Sequence, residues 1–314
     1  MKKLFAILAG VVATMTLLTF TGCSVEFNPD KNISIIARDT ASGTREAFDT
    51  VVTDGNQFLQ YKDSDGKKVY LTSSTAEAIN STGVVKSKVQ SDPQAIGYIS
   101  YGSVDDTVKV VNVNGVAPSK ATVLDKSYKI QRPFVVMTNK NVETSGKAAD
   151  FMKYLESSSV KEDCEKHGVI FLEDETLRAN EGETAIPVGT YTKLSSLPTG
   201  DKIVIRGSTS MKEVITEAAA SYAKLYNADA DDIFDIELEG SSKGVKAVKE
   251  DTKGNVIGLS SAAVVDEKIV SFNICYDAVA VIVNKQNTLV TNLTLKQLFE
   301  IYTAKITKFS ELDA

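Results

Sequence analysis

The chain repeats one local device: a short apolar strand, a tight turn of small hydroxylated residues, and the start of a helix. It occurs at Ile33-Ser-Ile-Ile-Ala-Arg38 with Ser42-Gly43-Thr44, and at Lys202-Ile-Val-Ile-Arg206 with Gly207-Ser-Thr-Ser210. It recurs at Phe234–Leu238 with Gly240-Ser241-Ser242-Lys243-Gly244, and a related strand, Val256–Leu259, ends in Ser260-Ser261. Units of this kind build a sheet covered by helices, so an α/β fold is expected. In open α/β sheets ligands bind beyond the carboxyl ends of the strands, which lets several such turns converge on one cleft.

The first copy shows what such a cleft is suited to hold. Ser42, Gly43 and Thr44 stand where a helix begins, so backbone N–H groups there lack intrahelical partners and the dipole presents its positive end. Arg38 before the turn and two hydroxyls within it make a socket for a small anion. With Ser42 as N-cap a capping box would place Glu or Gln at position 45, and this chain has Arg45. A helix start lined with cations and hydroxyls is therefore expected, against the plain alternative of an ordinary Ser-capped helix. No copy carries a phosphate-loop lysine or the dinucleotide glycine spacing, which argues against a nucleotide. Alike in chemistry, the turns favour a small polyoxygen anion.

At 314 residues the chain suits two lobes, and 43% hydrophobic with 24% charged residues is the balance of a soluble globular protein. Net charge is −6, and without Lys2 and Lys3 it becomes −8, from 33 basic against 41 acidic residues. That argues against nucleic acid, where a basic stripe would be expected, but a local socket of N–H dipoles acts independently of bulk charge, which is screened beyond ~10 Å.

Met1-Lys-Lys3, the apolar run Leu4–Phe20 and Thr21-Gly22-Cys23 read as an export signal. The run ending in Gly22-Cys23 resembles a bacterial lipoprotein signal, which makes Cys23 the lipidated first residue of an extracytoplasmic, membrane-anchored protein; a plain secretory signal or anchor is the alternative. Of the remaining thiols, Cys164 falls on an amphipathic helix and Cys275 in an apolar strand; buried free thiols are expected, with pairing left open.

Along the chain, helices are expected at Arg45–Val52, Ser74–Asn80, Ser145–His167, Met211–Tyr226, from Val245, and at Leu295–Tyr302. Strands are expected at Ala95–Tyr101, Val108–Val113, Tyr128–Met137 and Ala278–Val283. Turns fall at Asp65-Gly66 and Asn114-Gly115, and Ser210 with Glu213 forms a capping-box pattern. Glu173–Asp201 is the main break.

These motifs, with Glu239-Gly-Ser-Ser-Lys-Gly244, Asp277-Ala-Val-Ala-Val-Ile-Val-Asn284, Leu293–Tyr302, Arg38…Ser42-Gly-Thr-Arg-Glu-Ala-Phe48 and Ala95-Ile-Gly-Tyr98, resemble the phosphate-binding lipoprotein of bacterial phosphate ABC transporters. The resemblance spans nearly all of residues 33–314 and implies a two-lobe, type II periplasmic-binding-protein-like α/β fold. The order is rearranged: the half that comes second in the family is residues 33–172 here, and the half that comes first is 202–314. The sequence looks circularly permuted, with 173–201 joining the former termini; a truncated tandem copy is the alternative. Family topology then implies a discontinuous lobe of 31–126 plus 285–314 and a continuous lobe of 127–284, with crossings near 126–132 and 281–287.

Carried over position by position, the resemblance implies that Arg38, Ser42, Gly43 and Thr44 hold phosphate from one lobe. Thr209, Ser210 and Ser241 hold it from the other, with Ser261 at a position where family members carry an Asp that accepts the proton of hydrogen phosphate. A serine can donate or accept, so another tetrahedral oxyanion is an open alternative. The implied partners are inorganic phosphate, ABC permease subunits and the membrane through the N-terminal lipid, with the chain a monomer. Neither nucleic acid, cofactor nor metal is implied. Hydroxyls and an Arg also describe a phosphatase, but the only histidine, His167, stands at a helix end beside Gly168, and there is no His/Asp/Glu set at metal spacing and no GxSxG elbow. A binding protein rather than an enzyme is expected, with sensing or scaffolding as an alternative to uptake.

Overall fold

The computed structural model describes residues 26–179 and 186–312, so the expected signal segment and Cys23 lie outside the described residues. No helix among the described residues is long and apolar enough to cross a membrane. The chain first forms β1 (Ser34–Arg38), α1 (Gly43–Asp49), the hairpin β2–β3 (Gln60–Lys62, Lys68–Tyr70), β4 (Glu77–Ile79) and α2 (Thr82–Ser91). Next come β5 (Ala95–Ser100), β6 (Val108–Val113), α3 (Lys120–Leu124), β7 (Gln131–Asn139), α4 (Gly146–Glu156), α5 (Lys161–Glu165), β8 (Ile170–Phe171) and α6 (Glu175–Arg178). The remainder supplies β9 (Ile203–Gly207), α7 (Lys212–Leu225), α8 (Ala230–Ile233), β10 (Phe234–Glu237), α9 (Ser241–Glu250) and β11 (Val256–Ser260). It ends with β12 (Ile269–Asn284), β13 (Asn292–Leu293) and α10 (Leu295–Tyr302).

One curled sheet runs β10-β9-β11-β7-β12-β5-β1-β4, with β6 and β8 also pairing to β12. β10, β9 and β11 are mutually parallel, as are β5, β1 and β4; between the two sets stand the antiparallel β7 and β12. β12 is the shared spine, pairing with β7 over Ile269–Ala278 and with β5 over Val279–Val283. The unbroken apolar run Ala278–Val283 is buried throughout, as a strand covered on both faces must be.

Two main cores flank this spine. In one, Phe151 and Tyr154 of α4 and Ala218 and Tyr222 of α7 pack on Phe134, Ile205 and Leu259. In the other, Phe48 stacks on Tyr98 with centroids 3.9 Å apart, and Tyr302 of α10 meets Phe48 edge-on at 4.8 Å. β7 passes from one core to the other between Ile130 and Phe134, and β12 between Cys275 and Ala278. The second passage comes earlier in the chain than the 281–287 expected from the sequence, because Val281 and Val283 already pack on the Phe48–Tyr98 side. The end of the chain closes beside its beginning: the Ile33 N–H donates to the Thr307 carbonyl at 2.8 Å, and the Ser310 N–H to that of Pro29 at 3.0 Å.

The polar break is not a free linker. Ile186, Val188, Tyr191 and Leu197 pack against the α4–α7 core. Asp150 Oδ2 accepts from the hydroxyls of Tyr191, Tyr222 and Tyr226, each at 2.7 Å.

Three local expectations need correction. Ser74–Asn80 is a turn followed by β4, and the helix begins at Thr82 instead, capped by Ser81 and buried only through Thr82, Val85 and Val89. The run from Ser145 breaks at Ser157, whose hydroxyl turns back to the Tyr154 carbonyl at 2.8 Å and caps the Ser159 N–H. The Ser210–Glu213 capping box does not form, since Ser208 Oγ takes the Ser210 N–H and leaves the Ser210 hydroxyl for another partner.

Because Tyr302 is fully buried against Phe48 and Tyr98, Tyr302→Ala is expected to remove about 3–5 kcal/mol of stability in urea unfolding.

Candidate functional site at the lobe seam

Arg38 ends β1 and is buried, and among the described residues no carboxylate bonds its guanidinium. Its Nε donates to the Ile79 carbonyl at 3.1 Å and Nη2 to the Asn80 carbonyl at 2.7 Å, which fix the plane of the group. The remaining N–H groups meet hydroxyls: Nη1 donates to Thr44 at 3.1 Å and Thr82 at 3.0 Å, and Nη2 to Thr209 at 3.1 Å. Burial, and then the charge of Arg132, pull its pKa down to about 10, so it stays a cation at neutral pH. A buried cation held only by neutral oxygens lacks its counter-charge, and an anion supplies it.

Helix starts surround this group. Ser42 caps α1, its Oγ accepting the Thr44 N–H at 3.2 Å. Across the seam, β9 ends at Gly207, whose φ of +141° and approach to the Leu259 carbonyl exclude a side chain, and Ser208, Thr209 and Ser210 follow. Ser241 opens α9 and Ser261 follows β11. The Ser261 N–H donates to Ser241 Oγ at 3.1 Å, and the Ser208 hydroxyl donates to Ser261 Oγ at 2.8 Å.

The two sides touch directly. Thr44 Oγ1 and Ser210 Oγ are 2.9 Å apart, and Thr82 Oγ1 lies 3.2 Å from both Thr209 Oγ1 and Ser210 Oγ. A Cβ on Gly43 would stand 2.7 Å from the Ser261 backbone. All of Arg38, Ser42, Gly43, Thr44, Thr209, Ser210, Ser241 and Ser261 thus fall in one seam. A crevice of about 660 Å³ between α2 and α7 reaches it at Thr82 and Thr209.

Arg45 does not line the seam as expected. Its Nε pairs with Asp49 at 2.9 Å, its Nη1 donates to the Arg38 carbonyl at 2.9 Å, and its guanidinium lies over the Tyr70 ring. It braces the Arg38 backbone from behind. Burial raises Asp49 to about 6 against the pull of Arg45. Thr82 and Ser208 were not singled out from sequence. Ser81-Thr82-Gly83 is a fourth hydroxyl-and-glycine helix start, hidden because β4 before it is only 3 residues long.

His167 lies away from this seam, 3.7 Å from Glu217. Among the described residues no group of three or more His, Cys, Asp or Glu side chains is placed to hold a metal. Cys164 and Cys275 are free and buried.

A two-lobe α/β architecture with a hydroxyl-lined seam beyond the strand ends is the plan of a ligand-binding protein of the PBP superfamily. The family model described as "PBP superfamily domain" matches residues 2–159 and 193–314, and the chain belongs to that family. Its relatives include the phosphate-binding protein PstS 2 of Streptococcus pneumoniae serotype 4, 33% identical over 89% of this chain and 87% of the relative. PstS 2 of Streptococcus agalactiae serotype V is 32% identical over 99% of this chain and 98% of the relative, so the two share one order of segments. A crystal structure of a phosphate-binding protein of a phosphate ABC transporter from S. pneumoniae superposes with a TM-score of 0.61 at 32% identity, covering 90% of this chain and 99% of that one.

Since a methyl group at Gly43 collides with the Ser261 backbone as well as its hydroxyl, and the backbone cannot rotate away, Gly43→Ala is expected to hold the lobes apart. Small-angle scattering should report a larger radius of gyration than for the unaltered chain; an unchanged radius would contradict the closed packing.

Proposed function

We propose that this chain binds inorganic phosphate between its lobes and delivers it to the permease subunits of an ABC transporter. One observation carries the reading: Arg38 is buried without a carboxylate and is ringed by hydroxyls from both lobes. Arg38 supplies the charge, Gly43 offers a helix-start N–H group, and Thr44, Thr209, Ser210, Ser241 and Ser261 offer hydroxyls, with Ser42 setting the turn by capping the Thr44 N–H. Charge-assisted bonds contribute ~1.5–3 kcal/mol each, and micromolar binding needs only ~8 kcal/mol net, so six to eight such bonds suffice, by rough count, after desolvation and closure. The names of the relatives support phosphate as the ligand. The chain acts as a binding protein rather than an enzyme, exported and held at the outer face of the membrane by a lipid on Cys23. It works as a monomer whose lobes hinge on β7 and β12.

The segment order is that of a circular permutant, with the former termini joined through 173–201. Contact between Pro29 and Ser310 favours it, because permutation requires neighbouring ends. Deleting 285–314 should then abolish cooperative folding of the half that holds Arg38, measured by hydrogen exchange; a dispensable tail would mean a truncated tandem copy.

A second reading, another tetrahedral oxyanion or a sensing role, draws on Ser261, a hydroxyl where the family resemblance leads one to expect a carboxylate. Calorimetry with phosphate, sulfate and molybdate on residues 25–314 separates these. Phosphate should bind one to one, and Arg38→Ala or Thr44→Val should weaken it at least about tenfold, the value of one charge-assisted bond. Sulfate binding tighter than phosphate would overturn the phosphate reading.

A further inference from the structure

Beneath the seam lies a buried ion pair that none of the roles above uses. Arg132 of β7 stands directly opposite Asp277 of β12, with Nε and Nη2 at 3.2 and 2.9 Å from Asp277 Oδ2. Both side chains are almost wholly excluded from solvent, at 2% and 0% exposure.

Sheet register places the pair in the floor of the cleft. Ser260, the last residue of β11, pairs with Val135 of β7, so Arg132 lies beyond the carboxyl end of that parallel set. Ser100, the last residue of β5, pairs with Val279 of β12, so Asp277 lies beyond the carboxyl end of the other set. Ligands of open α/β sheets sit beyond such ends. The two strands that carry the pair are also the two that pass between the lobes.

The pair keeps unused hydrogen-bonding capacity. Arg132 Nη1 is buried without a hydrogen-bond partner, while the Ser100 hydroxyl and the Gly102 N–H lie against the Asp277 carboxylate. A buried ion pair rarely improves stability over an apolar pair of similar volume, and an unpaired guanidinium N–H in the interior is a further penalty. Stability alone therefore gives no account of Arg132. Its charge is felt at Arg38, whose own charged form it disfavours. The groups facing Arg132 are Asp277 from β12, Tyr98 from β5 and Arg38 from β1, and its guanidinium lies 5.4 Å from the Phe134 ring.

We infer that Arg132 is a second cation of the oxyanion site, a positioning residue in the cleft floor that makes the cleft prefer a doubly charged tetrahedral oxyanion over a singly charged one. Asp277 offsets part of this charge and holds the guanidinium in place. The inference rests on the oxyanion reading of the seam. Because electrostatic energy scales with ligand charge, losing one nearby cation weakens a dianion more than a monoanion.

The test is calorimetry of the full chain in mild detergent with inorganic phosphate at pH 5.5, where the ligand is mostly singly charged, and at pH 8.5, where it is doubly charged. Thermal unfolding of each variant runs beside it. Arg132→Gln should weaken binding about tenfold at pH 8.5 and only about threefold at pH 5.5, and Arg132→Lys should restore affinity to within about twofold at both. Asp277→Asn, which frees the Arg132 charge, should tighten binding several-fold at pH 8.5. Equal weakening by Arg132→Gln at both pH values, with Arg132→Lys as poor as Arg132→Gln, would overturn the inference and leave the pair a structural brace. If Arg132→Gln does not fold, Arg132→Lys and Asp277→Asn decide: weakening by both, independent of pH, overturns it. An unaltered chain that binds no phosphate at either pH overturns the oxyanion reading itself.

Discussion

The structure turns on a buried guanidinium with no carboxylate to answer it. Arg38 is clamped by the Ile79 and Asn80 carbonyls on its own side of the molecule, and its remaining donors reach Thr44, Thr82 and Thr209. One of those hydroxyls comes from the opposite lobe, so the charge that calls for an anion also helps hold the lobes together. Neutral dipoles solvate such a charge only in part, and the fold leaves that deficit at the place where helix starts converge. An acidic chain thus keeps a buried cation with only neutral hydrogen-bond partners in its interior, set apart from the surface charge by distance and screening.

Everything around Arg38 serves its placement. Arg45, drawn toward Asp49 and the Arg38 carbonyl, stiffens the turn from behind. Phe48, Tyr98 and Tyr302 fill the space beneath α1, and Tyr98 also accepts the Arg38 N–H at 3.1 Å. The other lobe brings its hydroxyls on the ends of β9 and β11, and Ser208 and Ser241 tie these to Ser261. Among the described residues β7 and β12 run from one core to the other, with β8 beside them, and Arg132 and Asp277 lie where they pass.

Much of this was legible in the chain. The α/β class followed from strands running into Gly/Ser/Thr turns, and the residues that the family resemblance carried onto those turns do share one seam. What was misread had physical causes. α2 presents only Val85 and Val89 to the core and carries Gly83 in its first turn, so its period was too faint to place, and Thr82 was missed with it. Ser210 looked like a helix cap, but its hydroxyl is spent across the seam on Thr44 while Ser208 does the capping. Arg45 counted as one of the cations at the helix start because nothing nearby in sequence signalled Tyr70, or that Asp49 would be buried beside it.

The sequence by itself determined the local chemistry: which turns can offer N–H groups and hydroxyls, which strands are buried on both faces, and that the turns suit an anion. Those properties arise from backbone geometry and side-chain type within a few residues, and they persist wherever the segment ends up. Only the tertiary structure decided which hydroxyl meets which cation, and which charge is left unanswered. Arg38 and Thr209 are 171 positions apart, and Arg132 and Asp277 are 145. Burial and pairing over such separations are properties of the packed sheet, and desolvation, which gives those charges their force, does not exist until the sheet has formed.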